Sequence, residues 1–251
     1  MKFTFLGTGS AFSIEHYHSN MVLEVNGRNL LIDCGGDIRY SLRAVGLGPG
    51  DIHALYVSHL HADHVGGIEW LALSTFFNKD LDRPTLYANG KLAEDLWNTT
   101  LKGGLGTLQN QIAHLETYFK LVTIGKNEGF DFNGLHLQTV QMVHYMDGYE
   151  IVPSYGLLWS VPDHRKVLLT TDTQFSPNLM RDFYAMSDVI FHDCETAKAP
   201  SGVHANYDEL KTLSPDIRKK MWLYHYQDGP LPDAKADGFA GFVEQGQVFA
   251  F

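Results

Sequence analysis

The run Ser58-His59-Leu60-His61-Ala62-Asp63-His64-Val65-Gly66-Gly67 constrains this chain more than any other feature. Three imidazoles and a carboxylate fall within six consecutive residues. Imidazole nitrogen and carboxylate oxygen are the donors that zinc-type divalent ions prefer. No simple fold motif needs such a set, and buried without a ligand it would leave polar groups short of partners. A lone histidine would carry no such implication, because imidazole serves many roles. The apolar residues 54–58 just before it predict a short strand. His59 and His61, two apart past a strand end, can point to one side. Asp63 and His64 fall on the turn that follows, where the chain changes direction. One turn can therefore feed two adjacent ions.

Around this run the chain alternates between two periodicities. Residues 2–6, 21–25 and 30–34 read as an opening antiparallel meander. Residues 37–45 and 66–77 show helical spacing, 85–88 a strand and 91–101 a helix. The glycine-dense stretch 102–106 reads as a flexible loop, with a short helix at 109–116. Strand patterning resumes at 119–124, 129–132 and 135–143, and 155–161 with 166–171 form a hairpin around Pro162-Asp163-His164. Then come helix 179–186, strand 189–192, helix 205–213 and strands 221–224 and 247–251. No internal repeat and no linker divides the chain, so one domain spanning 1–251 is expected. The order of strands and helices suits two sheets covered by helices, a layered α/β arrangement.

Composition narrows the function classes. A formal charge of −10, from 19 basic and 29 acidic side chains, disfavours a polyanion such as DNA or tRNA as partner. No apolar run reaches the 18 or so residues that a membrane span needs. Residues 1–7 lack a secretory hydrophobic region, which gives a cytoplasmic expectation. Two cysteines, Cys34 and Cys194, read as reduced thiols.

The central run resembles the H-x-H-x-D-H signature of the metallo-β-lactamase fold family, whose architecture is an αββα four-layer sandwich. The likeness extends along the chain. The family's opening loop is matched by Phe5-Leu6-Gly7-Thr8-Gly9-Ser10 and its early aspartate by Asp33. A mid-chain histidine after a strand is matched by His144, a bridging aspartate by Asp172, and a late histidine by His225. The resemblance implies two divalent ions, zinc first and manganese as the substitute. One would sit among His59, His61, His144 and Asp172, the other among Asp63, His64, Asp172 and His225. Such a pair polarises a phosphoryl group and yields a nucleophilic water near neutral pH. Asp63 would orient that water or take its proton. Asp33 would fix the ligand turn through hydrogen bonds.

Within that family, Asp172 in place of a cysteine and the Gly7-Thr8-Gly9-Ser10 loop resemble the phosphodiesterase branch. Phe191-His192-Asp193-Cys194-Glu195-Thr196 is similar to its H-E-A-T-F element, and His204-Ala205-Asn206 to its H-S-T element. On that likeness His192 is expected to be the general acid, and His204 to support the ligands or bind phosphate. The loop Tyr17-His18-Ser19-Asn20-Met21 is similar to that of the anti-Pycsar family of phage proteins and their bacterial relatives. That resemblance implies a homodimer hydrolysing 3′,5′-cyclic mononucleotides, cCMP and cUMP and also cAMP and cGMP. His18 and Asn20 would donate to phosphate or ribose, and Tyr118 would stack on a base. The alternative is a tRNA 3′-processing endonuclease of the RNase Z type. Against it stand the acidic charge, a glycine loop whose one cation is Lys102, and Leu169 where an acidic residue would be expected. A lactonase or β-lactamase, and a non-catalytic nucleotide sponge, are the remaining readings.

Overall fold

The computed structural model describes residues 1–251. Two seven-stranded sheets dominate it. The first runs, in spatial order, Val248–Ala250, Lys2–Phe5, Met21–Val25, Arg28–Ile32, Ile52–Tyr56, Thr85–Asn89, Lys120–Ile124. The second runs Gly241–Phe242, Met221–Tyr224, Val189–Asp193, Lys166–Leu169, Ile151–Ser160, Leu135–Met146, Gly129–Phe132. Followed along the chain from Lys2 in the first and from Gly129 in the second, each sheet begins as an antiparallel set and continues as parallel strands. The change falls after Arg28–Ile32 in the first and after Lys166–Leu169 in the second. The two halves thus share a topology although the sequence shows no repeat.

Alternation along the strands builds three separate cores, which is what four layers require. Phe3, Phe5, Leu23, Leu30 and Tyr56 face the second sheet and meet Trp159, Leu169, Phe191 and Tyr224 there. Neighbours of opposite parity, Val22, Leu31 and Leu55, face outward onto the helices Ile38–Ala44 and Ile68–Phe77. On the other side Leu168, Ile190 and Leu223 pack against helix Pro177–Met186 and the turn Tyr207–Leu210. The period of two in the sequence is therefore read twice, one parity into the central core and one into a flanking core. The central core is aromatic: Phe3 lies 5.5 Å from Trp159 and 5.1 Å from Phe191 in edge and tilted contacts.

Two expectations in the middle of the chain fail. Residues 102–106 are not a loop: Lys102–Leu105 is a helical turn that continues a π-helical segment, Leu96–Leu101. Residues 109–116 are not a helix. Thr107–Leu108 and Gln111–Ile112 pair as a small hairpin, turning on Asn110 at φ 64°, and only Leu115–Tyr118 is helical. Two glycines side by side suggested flexibility, but the buried Leu101 and Leu105 anchor the turn to the first flanking core. The expected helix at 205–213 shrinks to Tyr207–Leu210, and a further turn, Pro215–Arg218, follows it.

Candidate metal centre

Parallel strands deliver their side chains to one edge. Asp33 follows Arg28–Ile32, His59 follows Ile52–Tyr56, Asp172 follows Lys166–Leu169, Asp193 ends Val189–Asp193 and His225 follows Met221–Tyr224. Carboxyl ends of parallel strands are where α/β sheets place their sites. His144 comes from an antiparallel strand, and there the register of Leu135–Met146 against Ile151–Ser160 slips between Val143 and Tyr145. Such a bulge re-aims one side chain, here the histidine. Three of the strand-end residues are strained: Asp33, Thr171 and His225 have φ of 61°, 55° and 69°. Left-handed backbone at non-glycine residues concentrates at functional sites.

The strand-end loops are locked to one another. Cys34 N donates to His64 O at 2.7 Å and Gly67 N to Cys34 O at 2.8 Å. A Cβ on Gly35 would sit 2.1 Å from the Asp63 carbonyl oxygen, and one on Gly67 would sit 2.3 Å from the Gly35 carbonyl. Both positions therefore exclude a side chain, which accounts for one glycine of the pair after the histidine run.

The donors converge into two groups that share Asp172. One comprises His59, His61, His144 and Asp172, the other Asp63, His64, Asp172 and His225, with ligand atoms in each within 4.8 Å of one another. In the first, His61 Nδ1 lies 3.2 Å from His59 Nε2 and 3.0 Å from His144 Nε2. In the second, His64 Nε2 is 3.1 Å from Asp63 and 3.3 Å from Asp172, and His225 Nε2 is 3.2 Å from Asp63. His64 Nε2 and Asp172 Oδ1 are buried without a hydrogen-bond partner. Buried orphans at the focus of seven nitrogen and oxygen donors fit divalent cations. All seven side chains are buried except His61, which faces solvent.

The far sides of the imidazoles are held. His64 Nδ1 is 2.8 Å from Asp33 Oδ2, and Asp33 also accepts from Ser58 N at 2.8 Å and Ser58 Oγ at 2.6 Å. His144 Nδ1 is 3.1 Å from Val203 O, which directs Nε2 inward. A carboxylate or carbonyl behind a ligating imidazole fixes its tautomer and direction. Burial alone would lower the pKa of His64, but Asp172, Asp63 and Asp33 outweigh it and raise it well above 6.5. His225 behaves likewise under Asp172, Asp193 and Asp63. His144 goes the other way: burial dominates and takes it down to about 4.

The expectations for His192, Asn20 and Tyr118 change. His192 is buried and turned away from the donors, with Nε2 2.7 Å from Tyr184 Oη and Nδ1 2.6 Å from its neighbour's carbonyl, Asp193 O. It holds helix Pro177–Met186 against the sheet and cannot deliver a proton to a ligand in the site. His204 lies beside the donors: its ring centroid is 4.7 Å from His225 and 5.4 Å from His144, and Nδ1 is 2.8 Å from Asp193 Oδ2. Burial lowers the pKa of His204, yet Asp193 more than compensates and the net shift is upward. Asn20 is buried too, accepting from Gly35 N at 2.5 Å and donating to Asp63 O at 3.3 Å, so it braces the Asp63 turn. His18 packs beside Asp37, whose Oδ2 accepts from its backbone N at 2.8 Å. Tyr118 is fully buried, donates to Leu105 O at 2.8 Å and packs on Phe76, so no base can reach its ring. The residue that sequence reasoning passed over is Asp193, which takes Thr173 N at 2.8 Å as well as His204. Its signal was the acidic residue directly after His192.

A family model, "Anti-Pycsar protein Apyc1", matches residues 1–249. An anti-Pycsar protein Apyc1 from Paenibacillus harenae is 36% identical over 230 residues, covering 91% of this chain and 90% of its own. Another, from Bacillus phage 010DV004, is 32% identical over 260 residues, covering 99% and 98%. Among solved structures, the metallo-β-lactamase fold protein YhfI from Bacillus subtilis superposes with a TM-score of 0.76 at 18% identity, over 99% of both chains. The fold is that of the metallo-β-lactamases, and the chain belongs to the anti-Pycsar Apyc1 family.

Proposed function

We propose that the chain is a dinuclear-metal phosphodiesterase that hydrolyses 3′,5′-cyclic mononucleotides to nucleoside monophosphates and so removes the signal of an antiphage defence. The observation that carries the reading is the pair of donor groups sharing Asp172, with the Asp193–His204 pair beside them. The relatives' name, anti-Pycsar protein, supports the substrate class. Two divalent ions in these groups, zinc or manganese, would supply Lewis acidity toward the phosphoryl oxygens and acidify the attacking water.

The chain's own residues supply the rest. Asp63 belongs to the second donor group, with its pKa held far below the carboxylate range. Burial opposes ionisation, but His64 and His225 overcome it. It is a carboxylate at every working pH and can orient a water. His204 keeps its proton to higher pH than a free imidazole, and Asp193 engages its Nδ1, which leaves Nε2 to carry the transferable proton. As water adds to phosphorus and gives up a proton to solvent, the bond from phosphorus to one ribose oxygen breaks, and that oxygen takes the His204 proton, which solvent then restores. Asp193, held down at about 2 by His204 and His225 against its burial, steadies the imidazolium before transfer. A homodimer belongs to the same reading, and light scattering checks it.

The test is turnover of cCMP, cUMP, cAMP and cGMP by metal-loaded protein, followed by mass spectrometry. A linear monophosphate product that disappears in His64→Ala and Asp172→Ala supports the reading. Binding without product, or equal activity after chelation, overturns it.

A further inference from the structure

A cavity of about 520 Å³ adjoins the imidazole cluster, and His59 and His61 form its inner wall. Its other walls come from two distant segments. One is the start of helix Gly90–Asp95, with Asn89 and Lys91. The other is the hairpin that joins Leu135–Met146 to Ile151–Ser160, with Tyr145 and Tyr155. Tyr145 directly follows His144, and its ring lies 5.4 Å from that of His61 with the planes 14° apart. Asn89 Oδ1 caps Lys91 N at 3.2 Å, which leaves its amide hydrogens free for a ligand.

The direction of approach decides what enters. Among the seven donor side chains only His61 is exposed, so a phosphate reaches the centre from the His61 side. Whatever is attached to that phosphate then lies in the adjoining cavity. The lining charge decides its chemistry. Lys91 is the one cation there, and it is 2.8 Å from Asp95, while Asp147 and Glu150 add two more carboxylates. A second phosphate would meet net repulsion. A neutral, flat, hydrogen-bonding ring meets a tyrosine face, an amide and carboxylate acceptors. The volume falls within the roughly 300–1,000 Å³ of small-molecule sites.

We infer that this cavity is the nucleobase subsite, with Tyr145 as its stacking wall and Asn89 and Lys91 as donors toward base carbonyls. The inference rests on the cyclic-nucleotide reading above and adds the residues that hold the base. The same lining makes a nucleic-acid strand, with a phosphate at every step, a poor occupant.

The probes are cCMP and ribose 3′,5′-cyclic phosphate lacking a base. In the wild type the KM for the base-free diester is expected to exceed that for cCMP by on the order of 10- to 100-fold, the size of one stacked base. Tyr145→Ala should collapse that ratio toward one, and Tyr145→Phe should keep it. Tyr145→Leu retains an apolar group against His61 while removing the flat face, and should collapse the ratio even if the alanine variant loses metal. A ratio that persists in Tyr145→Leu at native metal content overturns the subsite and leaves the phosphodiesterase reading standing. A wild type that turns over no cyclic nucleotide overturns both.

Discussion

At the scale of single residues, the telling pair is His192 and His204. Both stand in elements that resemble the phosphodiesterase branch, and only packing separates them: Tyr184 claims the first, Asp193 the second. Two expected outcomes follow. His204→Ala should lower kcat on a cyclic nucleotide by about 10²–10⁴-fold, the usual worth of a general acid. On a p-nitrophenyl phosphodiester, whose leaving group needs no proton, the loss should be far smaller. Comparing the two substrates checks this, and equal losses would mean a purely structural role. Asp193→Asn removes the charge that holds the His204 pKa up. The alkaline limb of the kcat–pH profile should then move to lower pH, because His204 would surrender its proton sooner. His192→Gln, by contrast, should cost stability through the lost contact with Tyr184, read as a lower Tm.

At the scale of elements, the site depends on loops pressed together at strand ends. Gly35→Ala would put a methyl against the Asp63 carbonyl oxygen. The expected cost is about 1–3 kcal/mol of stability, as for other forced contacts. Metal affinity should fall with it, because the Asp63 turn must shift. Denaturant titration and metal analysis of the purified variant check both. Most strands were legible in the sequence because period-two patterning is local, and Met21–Val25, Gly129–Phe132 and Met221–Tyr224 lie where the pattern puts them. The donors were legible because ligand chemistry admits few residue types. Residues 102–118 were not legible. There Gly103 and Gly104 argue for a loop, and tertiary anchoring by Leu101, Leu105 and Tyr118 overrides them. Tyr145 was equally hidden: a tyrosine in a strand says nothing of a cavity that two segments far apart in sequence must close.

At the scale of the whole molecule, protons and metal ions compete for the same atoms. In metal-free protein, His64 and His225 have folded pKa values above 6.5. The stability they lend is full below 6.5 and is lost as pH rises through the folded values. Asp63, Asp172 and Asp193 are depressed below 3.8. Their contribution is present above that value and is lost only as pH falls through the folded ones. His144, lowered to about 4, acts in the opposite sense, with its contribution full above 6.5 and lost as pH falls toward 4, so the stripped protein should be most stable near pH 6.5. Metal binding demands neutral imidazoles, so it releases protons and strengthens as pH rises. The gap in Tm between loaded and chelated protein should widen from about pH 6 to pH 8, and thermal scans with and without chelator check it. The two sheets divide the donors between them. His59, His61, Asp63 and His64 follow a strand of the first, whereas His144, Asp172 and His225 belong to the second. Neither half of the polypeptide carries a working set. On the dinuclear reading, a chain cut short of His225 would therefore bring together the first donor group and leave the second one donor short.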